Sequence, residues 1–235
     1  RLNEAIDLFD RVIAMGSGAV RHYRRAGVRA PFHIVAGGID AERFRDRSEP
    51  RSTDVVFVGR LAPVKRVDLL LRAVALAKAD VPNISAAIVG DGELRESLER
   101  LARDLGVSGN VSFAGYQRDV HDWLVRSKIF VLASDSEGLS LAVMEAMICG
   151  LPAVVSSTGD LGDLVEDGVN GRLIAERTPA AFADAMVALI ADEGRRSRFS
   201  EAARRAASRY DMRSVARLWD EVLAAQGASD RRTAA

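Results

Sequence analysis

From Val55 onward, short runs of β-branched and apolar residues alternate with longer stretches that carry apolar positions at helical spacing. Strands covered on both faces, joined by helices with one apolar stripe, are what a parallel sheet with crossover helices requires. The pattern predicts strands at Val55–Gly59, Ile84–Gly90, Val111–Ala114, Ile129–Ala133, Ala153–Ser156 and Gly171–Ile174. It predicts helices at Val67–Lys78, Leu94–Leu105, Val120–Ser127, Leu141–Cys149 and Pro179–Asp192, then at Ser197–Ser208 and Met212–Ala225. The fold class is α/β.

Upstream, Arg11–Met15 reads as one more strand and Ala19–Ala26 as a helix, while Ala36–Asp40 and Arg45–Pro50 read as a linker. One strand and one helix do not make a domain and leave an apolar sheet edge without neighbours. Residues 1–48 are therefore expected to be the end of a preceding Rossmann-like domain, absent here, plus a linker. Residues 49–210 form the main domain, and 211–235 a helix whose small, polar tail frays from Gln226. The start, Arg1-Leu2-Asn3-Glu4, has neither an initiator methionine nor a signal pattern, so the chain reads as part of a longer protein.

Charge narrows the partners. With 33 basic and 33 acidic residues the formal net charge is zero, which argues against nucleic acid or an anionic membrane as the main partner. Any positive site must be local. The single cysteine, Cys149, excludes an internal disulfide framework and fits a reducing compartment. No apolar run reaches the length of about 18 residues that spans a bilayer. The expectation is a cytoplasmic protein, with any peripheral contact at the inner face of a membrane left to the preceding domain.

Two segments can carry chemistry. In Gly59-Arg60-Leu61-Ala62-Pro63-Val64-Lys65, a glycine turn puts two cations at the carboxyl edge of the first main strand, where open α/β sheets bind ligands. Arg60 offers a planar fork of donors and Lys65 a point charge, a pair suited to a diphosphate; the plainer alternative is two solvated surface cations. In Glu137-Gly138-Leu139-Ser140-Leu141-Ala142-Val143-Met144-Glu145, two carboxylates flank a helix start whose free amides attract anions. Glu137 alone could merely favour a helix start, but Glu145 sits among Met144, Ala146 and Met147, where a carboxylate needs a partner.

Taken in order, Gly59-Arg60 with Lys65, Gly90-Asp91-Gly92-Glu93-Leu94, Glu137 through Glu145, and Cys149-Gly150-Leu151-Pro152-Ala153-Val154 strongly resemble family 4 glycosyltransferases of the GT-B fold. Phe32–Asp40 and Phe44 are similar to that family's interdomain linker, so the resemblance covers about residues 11–225. It implies a Rossmann-like doubly wound parallel sheet, the carboxyl-terminal domain of a GT-B fold. It also implies a retaining transferase that moves a hexose-type sugar from a UDP- or GDP-sugar without a metal or other cofactor, the nucleotide sugar being a substrate. By this analogy Arg60 and Lys65 hold the diphosphate, Glu145 the ribose hydroxyls, and Glu137 faces the transferred sugar. Gly59, Gly90, Asp91 and Gly138 line the donor, amides of Leu139, Ser140 and Leu141 add contacts, and Tyr116 and Gln117 fall where the family meets the base. Leu139-Ser140 stands where the family often has Phe-Gly, and Arg66 where it often has Gly after the lysine; both bear on sugar preference. The acceptor, read by the preceding domain in this family, is not encoded here.

Other signals are weaker. Gly16-Ser17-Gly18 partly mimics a dinucleotide fingerprint, but Arg21 stands at the third glycine, so it reads as a helix-start turn and not an NAD site. His22, His33 and His121 lack metal-pair spacing, and no Gly-x-Ser-x-Gly occurs. Cys149 reads as a buried packing residue. A sugar-nucleotide epimerase and a non-catalytic nucleotide-sugar module are the competing readings.

Overall fold

The computed structural model describes residues 5–47 and 50–233. The expected boundary at 48/49, the Arg1–Glu4 start and the last two alanines lie outside them. A small parallel pair, β1 (Val12–Ala14) and β2 (Phe32–Ile34), brackets helix α1 (Ser17–Arg25). The main sheet has six parallel strands in the order β5-β4-β3-β6-β7-β8. These are β3 (Thr53–Val58), β4 (Ala86–Val89), β5 (Val111–Gly115), β6 (Ser127–Leu132), β7 (Ala153–Ser156) and β8 (Gly171–Ile174). Chain order runs outward from β3 in one direction and then, from β6, in the other. The switch therefore lies between β3 and β6, and right-handed crossovers place helices on both faces.

The helices are α2 (Val67–Ala77), α3 (Arg95–Asp104), α4 (His121–Val125), α5 (Leu141–Ile148), α6 (Leu161–Leu164), α7 (Pro179–Ala191), α8 (Glu193–Ala207) and α9 (Met212–Thr233). Strands β4 and β7 are buried at every position, as expected where helices cover both faces. Edge strands β5 and β8 are buried at their ends and partly open between. One core joins both faces, with Phe57, Phe130 and Phe182 among its largest fully buried side chains. Gly90, at φ +137°, lets the turn after β4 press on the turn after β3, because a Cβ there would overlap the carbonyl oxygen of Gly59.

Three expectations need correction. The upstream segment is a βαβ unit, because Phe32–Ile34, read as linker, pairs in register with Val12–Ala14. A three-residue strand with a histidine in the middle carries no period to detect. The predicted helix Val120–Ser127 ends at Val125, since Ser127 already begins β6. The helix expected at Ser197–Ser208 starts at Glu193, where the Asp192 side chain accepts the Arg195 amide and caps it. The backbone of the last helix, α9, is helical to Thr233.

The linker is fastened. Ile39 exchanges backbone hydrogen bonds with Tyr210 and Met212, and the Arg11 guanidinium reaches the Val222 carbonyl on α9 at 2.8 Å. The returning helix thus crosses onto the first βαβ unit.

Candidate functional site

The predicted residues other than Glu145 fall into two groups along the carboxyl edge of β3, β4, β5 and β6. A cavity of about 420 Å³ is lined by Gly59, Arg60, Gly90, Asp91, Tyr116 and Gln117, with Val58, Val89 and Val120 supplying apolar walls. Six of the thirteen site residues named from the sequence share this one space. Tyr116 is 77% exposed at its rim, a ring available to a planar ligand. The valines carry no chemical signal in sequence: Val58 and Val89 are placed by β3 and β4, and Val120 by the start of α4.

The second group centres on Glu137, whose Oε1 accepts from Lys65 Nζ at 2.5 Å and from Ser134 Oγ at 2.6 Å. Lys65 arrives on a single 3₁₀ turn, Pro63–Lys65, that follows β3. Beside it α5 begins. Ser140 is the helix N-cap and its side chain accepts from the Val143 amide, so a serine in place of glycine gives this helix its own cap. No acceptor among the described residues meets the amides of Leu139, Leu141 and Ala142. Those of Leu141 and Ala142, in the first turn, point out of the helix start and attract anions.

Arg60 departs from the clamp. Its side chain is 71% exposed and turns toward Glu93, with Nη2 at 3.2 Å from Oε2. Glu93's carboxyl is held below its ordinary range, first by its own backbone amide and second by Arg60. Lys65 therefore sits at the mouth of α5 in this structure, whereas Arg60 borders the neighbouring cavity.

Glu145 lies on α5 away from both groups of contacts, half-buried, and burial pushes its carboxyl pKa up against the opposing pull of Arg43. Asp119, also within electrostatic reach, directly precedes the cavity residue Val120. The Glu145 carboxylate has no hydrogen-bond partner among the described residues.

Arg66, where the resembled family often has glycine, adopts φ 49°, ψ 43°, the left-handed region that glycine favours. Its guanidinium holds that shape by binding Asp68 at 3.1 Å and Asp135 at 3.3 Å. Asp135 also takes Arg177, and its amide donates to the Val64 carbonyl, so it ties the Lys65 turn to the Glu137 loop. Neither Asp135 nor Ser134 carried a sequence signal beyond closeness to Glu137.

A larger space of about 510 Å³ opens at the opposite edge of the sheet beside Arg51, Lys128 and Arg196. Its cations are committed: Arg51 to the carbonyls of Ser127 and Cys149, Lys128 to Asp54, and Arg196 to the carbonyls of Leu189 and Ile190. His121 is likewise engaged, through Arg47 and the Arg45 carbonyl. Cys149 is fully buried, donates to the Phe44 carbonyl, and has its thiol pKa pushed up to about 12 by burial. It is therefore expected to resist a thiol-disulfide reagent at pH ~8 until the protein is unfolded in guanidinium, because the thiolate is the reactive form. Rapid labelling of the folded chain would contradict its burial.

Known proteins resemble this chain in sequence and fold. A family model described as glycosyl transferases group 1 matches residues 38–206. D-inositol 3-phosphate glycosyltransferase of Frankia alni is 34% identical over 205 residues, covering 78% of this chain and 50% of that protein. The lipopolysaccharide core biosynthesis glycosyltransferase LpsE of Rhizobium meliloti is 35% identical over 147 residues, covering 63% of this chain and 42% of that protein. The crystal structure of Anabaena HepE in complex with UDP-glucose matches with a TM-score of 0.85 at 25% identity, over 95% of this chain and 67% of that one. The chain spans about half the length of the curated relatives it matches. It belongs to the glycosyl transferases group 1, and its six-stranded sheet is the Rossmann-like carboxyl-terminal domain of the GT-B architecture.

Proposed function

We propose that this chain is the donor-binding part of a retaining, metal-independent hexosyltransferase that draws on a UDP- or GDP-sugar and transfers to a glycan, lipid or small-molecule acceptor. The observation that carries the reading is the placement of Lys65 against Glu137 beside the outward amides of α5, with the cavity of Tyr116 and Gln117 adjoining. A nucleotide base fits the apolar-walled cavity, the ribose hydroxyls have Glu145 as acceptor, and a diphosphate lodges between Lys65 and the helix start. Glu137 then lies where the sugar leaves. As the bond from the anomeric carbon to the phosphate oxygen breaks, negative charge gathers on the departing diphosphate. Fixed donors stabilise that charge more than they stabilise the intact donor, which is what lowers the barrier. Lys65 is held in place by Glu137 before any donor binds, so it is the electrostatic element that needs least rearrangement.

The resemblance to a HepE structure that holds UDP-glucose favours a uridine donor as the first ligand to try. Thermal unfolding of the chain with UDP, GDP, ADP and NAD separates the choices. At about 100 times its dissociation constant the bound nucleotide adds about 2.7 kcal/mol of stability. A shift with UDP or GDP is expected; stabilisation by NAD alone would overturn the donor-site reading.

A further inference from the structure

The turn Gly16-Ser17-Gly18, which resembles half of a phosphate-binding fingerprint, already has its anions. Ser17 donates its amide to Asp163 Oδ2 at 2.8 Å and its hydroxyl to Asp163 Oδ1 at 2.6 Å. The Gly18 amide donates to Asp160. Asp160 is itself buried, and a Cβ on either Gly16 or Gly18 would overlap its carboxylate. The start of α1, in the upstream βαβ unit, is thus held by two carboxylates that follow β7, Asp160 at the cap of α6 and Asp163 within it. Arg209 and the Tyr210 hydroxyl close the far side of that segment on the Asp163 carbonyl.

The loop between β7 and α6 lies along the segment that carries Glu137. Thr158 Oγ1 donates to the Asp135 carbonyl at 3.0 Å. Gly159, at φ +56°, has its Cα against the backbone of Glu137, where a Cβ would overlap the Glu137 carbonyl oxygen. No side chain intervenes, so a displacement of Gly159 is passed directly to Glu137. Close-packed backbone transmits such a shift without slack.

We propose that Asp160 and Asp163 are positioning residues, a latch through which the upstream βαβ unit sets the place of Glu137 relative to the donor sugar. The inference rests on the donor-site reading, and specifically on Glu137 meeting the sugar moiety. Among the described residues Asp160 and Asp163 make no hydrogen bond to Lys65, the α5 amides or the cavity residues, so the latch bears first on Glu137 at the sugar end and reaches Lys65 only through the Glu137–Lys65 pair.

The test compares Asp160→Asn/Asp163→Asn, Ser17→Ala and Glu137→Gln with the parent chain, using calorimetric binding of UDP and of UDP-glucose together with amide hydrogen exchange. Asparagine keeps the size of the side chain, and Ser17→Ala removes one hydroxyl contact should the double variant fold poorly. The latch predicts that the Ser17 and Gly18 amides exchange about tenfold faster or more in the double variant. It predicts UDP affinity within about twofold of the parent, and UDP-glucose affinity weakened about fivefold or more, in the direction that Glu137→Gln also moves it. Ser17→Ala moves the same quantities less. If Glu137→Gln weakens UDP-glucose while the aspartate and serine variants do not, the latch is wrong and the donor site stands. If none of them alters UDP-glucose binding, Glu137 does not meet the sugar and both readings fall. Equal losses for UDP and UDP-glucose in the double variant mean general loosening of the fold, which also overturns the latch.

Discussion

Lys65→Ala is expected to lower turnover of the complete enzyme by about a hundredfold or more, the effect of removing one fixed donor worth about 2.7 to 4 kcal/mol to a developing anion. Two features make this position the sensitive one. Lys65 is 23% exposed in its side chain and the partner carboxylate of Glu137 only 9%, so the charge acts where water screens it little. Its turn is also held from two sides, by Arg66 in the left-handed conformation and by the Asp135 amide on the Val64 carbonyl. Arg60→Ala is expected to cost less, because that side chain is 71% exposed and already shared with Glu93.

Part of the Lys65→Ala effect would be structural, since it leaves the Glu137 carboxylate buried with only the Ser134 hydroxyl. The double variant Lys65→Ala/Glu137→Gln separates the two contributions. It should recover the melting temperature while leaving turnover low. Single-turnover rates of Lys65→Ala within about threefold of the parent would remove the diphosphate clamp, because the donor it assigns would then be doing nothing in the transition state.

What the sequence revealed follows from how local each signal is. The six main strands were legible because central parallel strands are apolar throughout, and Val55-Val56-Phe57 or Ala153-Val154-Val155 can hardly be anything else. Short Phe32–Ile34 was not legible, as its strand character exists only through pairing with Val12–Ala14. In the site, Lys65 and Glu137 were identified separately by motif, and the structure joins them across 72 positions of chain. The outward turn of Arg60 depends on where Glu93 ends up, which spacing does not fix. Asp135, Asp160 and Asp163 look like ordinary loop acids in sequence. Each is instead an acceptor that gathers donors from other loops, and that role is a property of the assembled carboxyl edge.

Glu145→Gln is expected to make the ligand-free protein more stable at neutral pH while weakening its hold on UDP. Burial raises the Glu145 carboxyl pKa above its ordinary value of 4.5, so folding favours the protonated form. A group raised in this way contributes its stability below the unfolded pKa and loses it as pH climbs through the folded one. At neutral pH the wild-type chain therefore carries a desolvated carboxylate that glutamine does not have. The gain should be of the size usual for a stabilising substitution, about 0.5 to 2 kcal/mol, and it should shrink as pH falls through the raised folded pKa and be gone below the ordinary value of 4.5. On the ligand side, replacing a charged acceptor for ribose hydroxyls with a neutral one forfeits about 1.5 to 3 kcal/mol, or roughly ten- to a hundredfold in affinity. The same titration makes wild-type UDP binding weaken on acidification, beginning at a higher pH than an exposed glutamate would allow. Melting curves across pH and calorimetry with UDP read both halves. A glutamine variant less stable than wild type at neutral pH, or one that binds UDP undiminished, would show that this carboxylate is kept for packing and not for the donor.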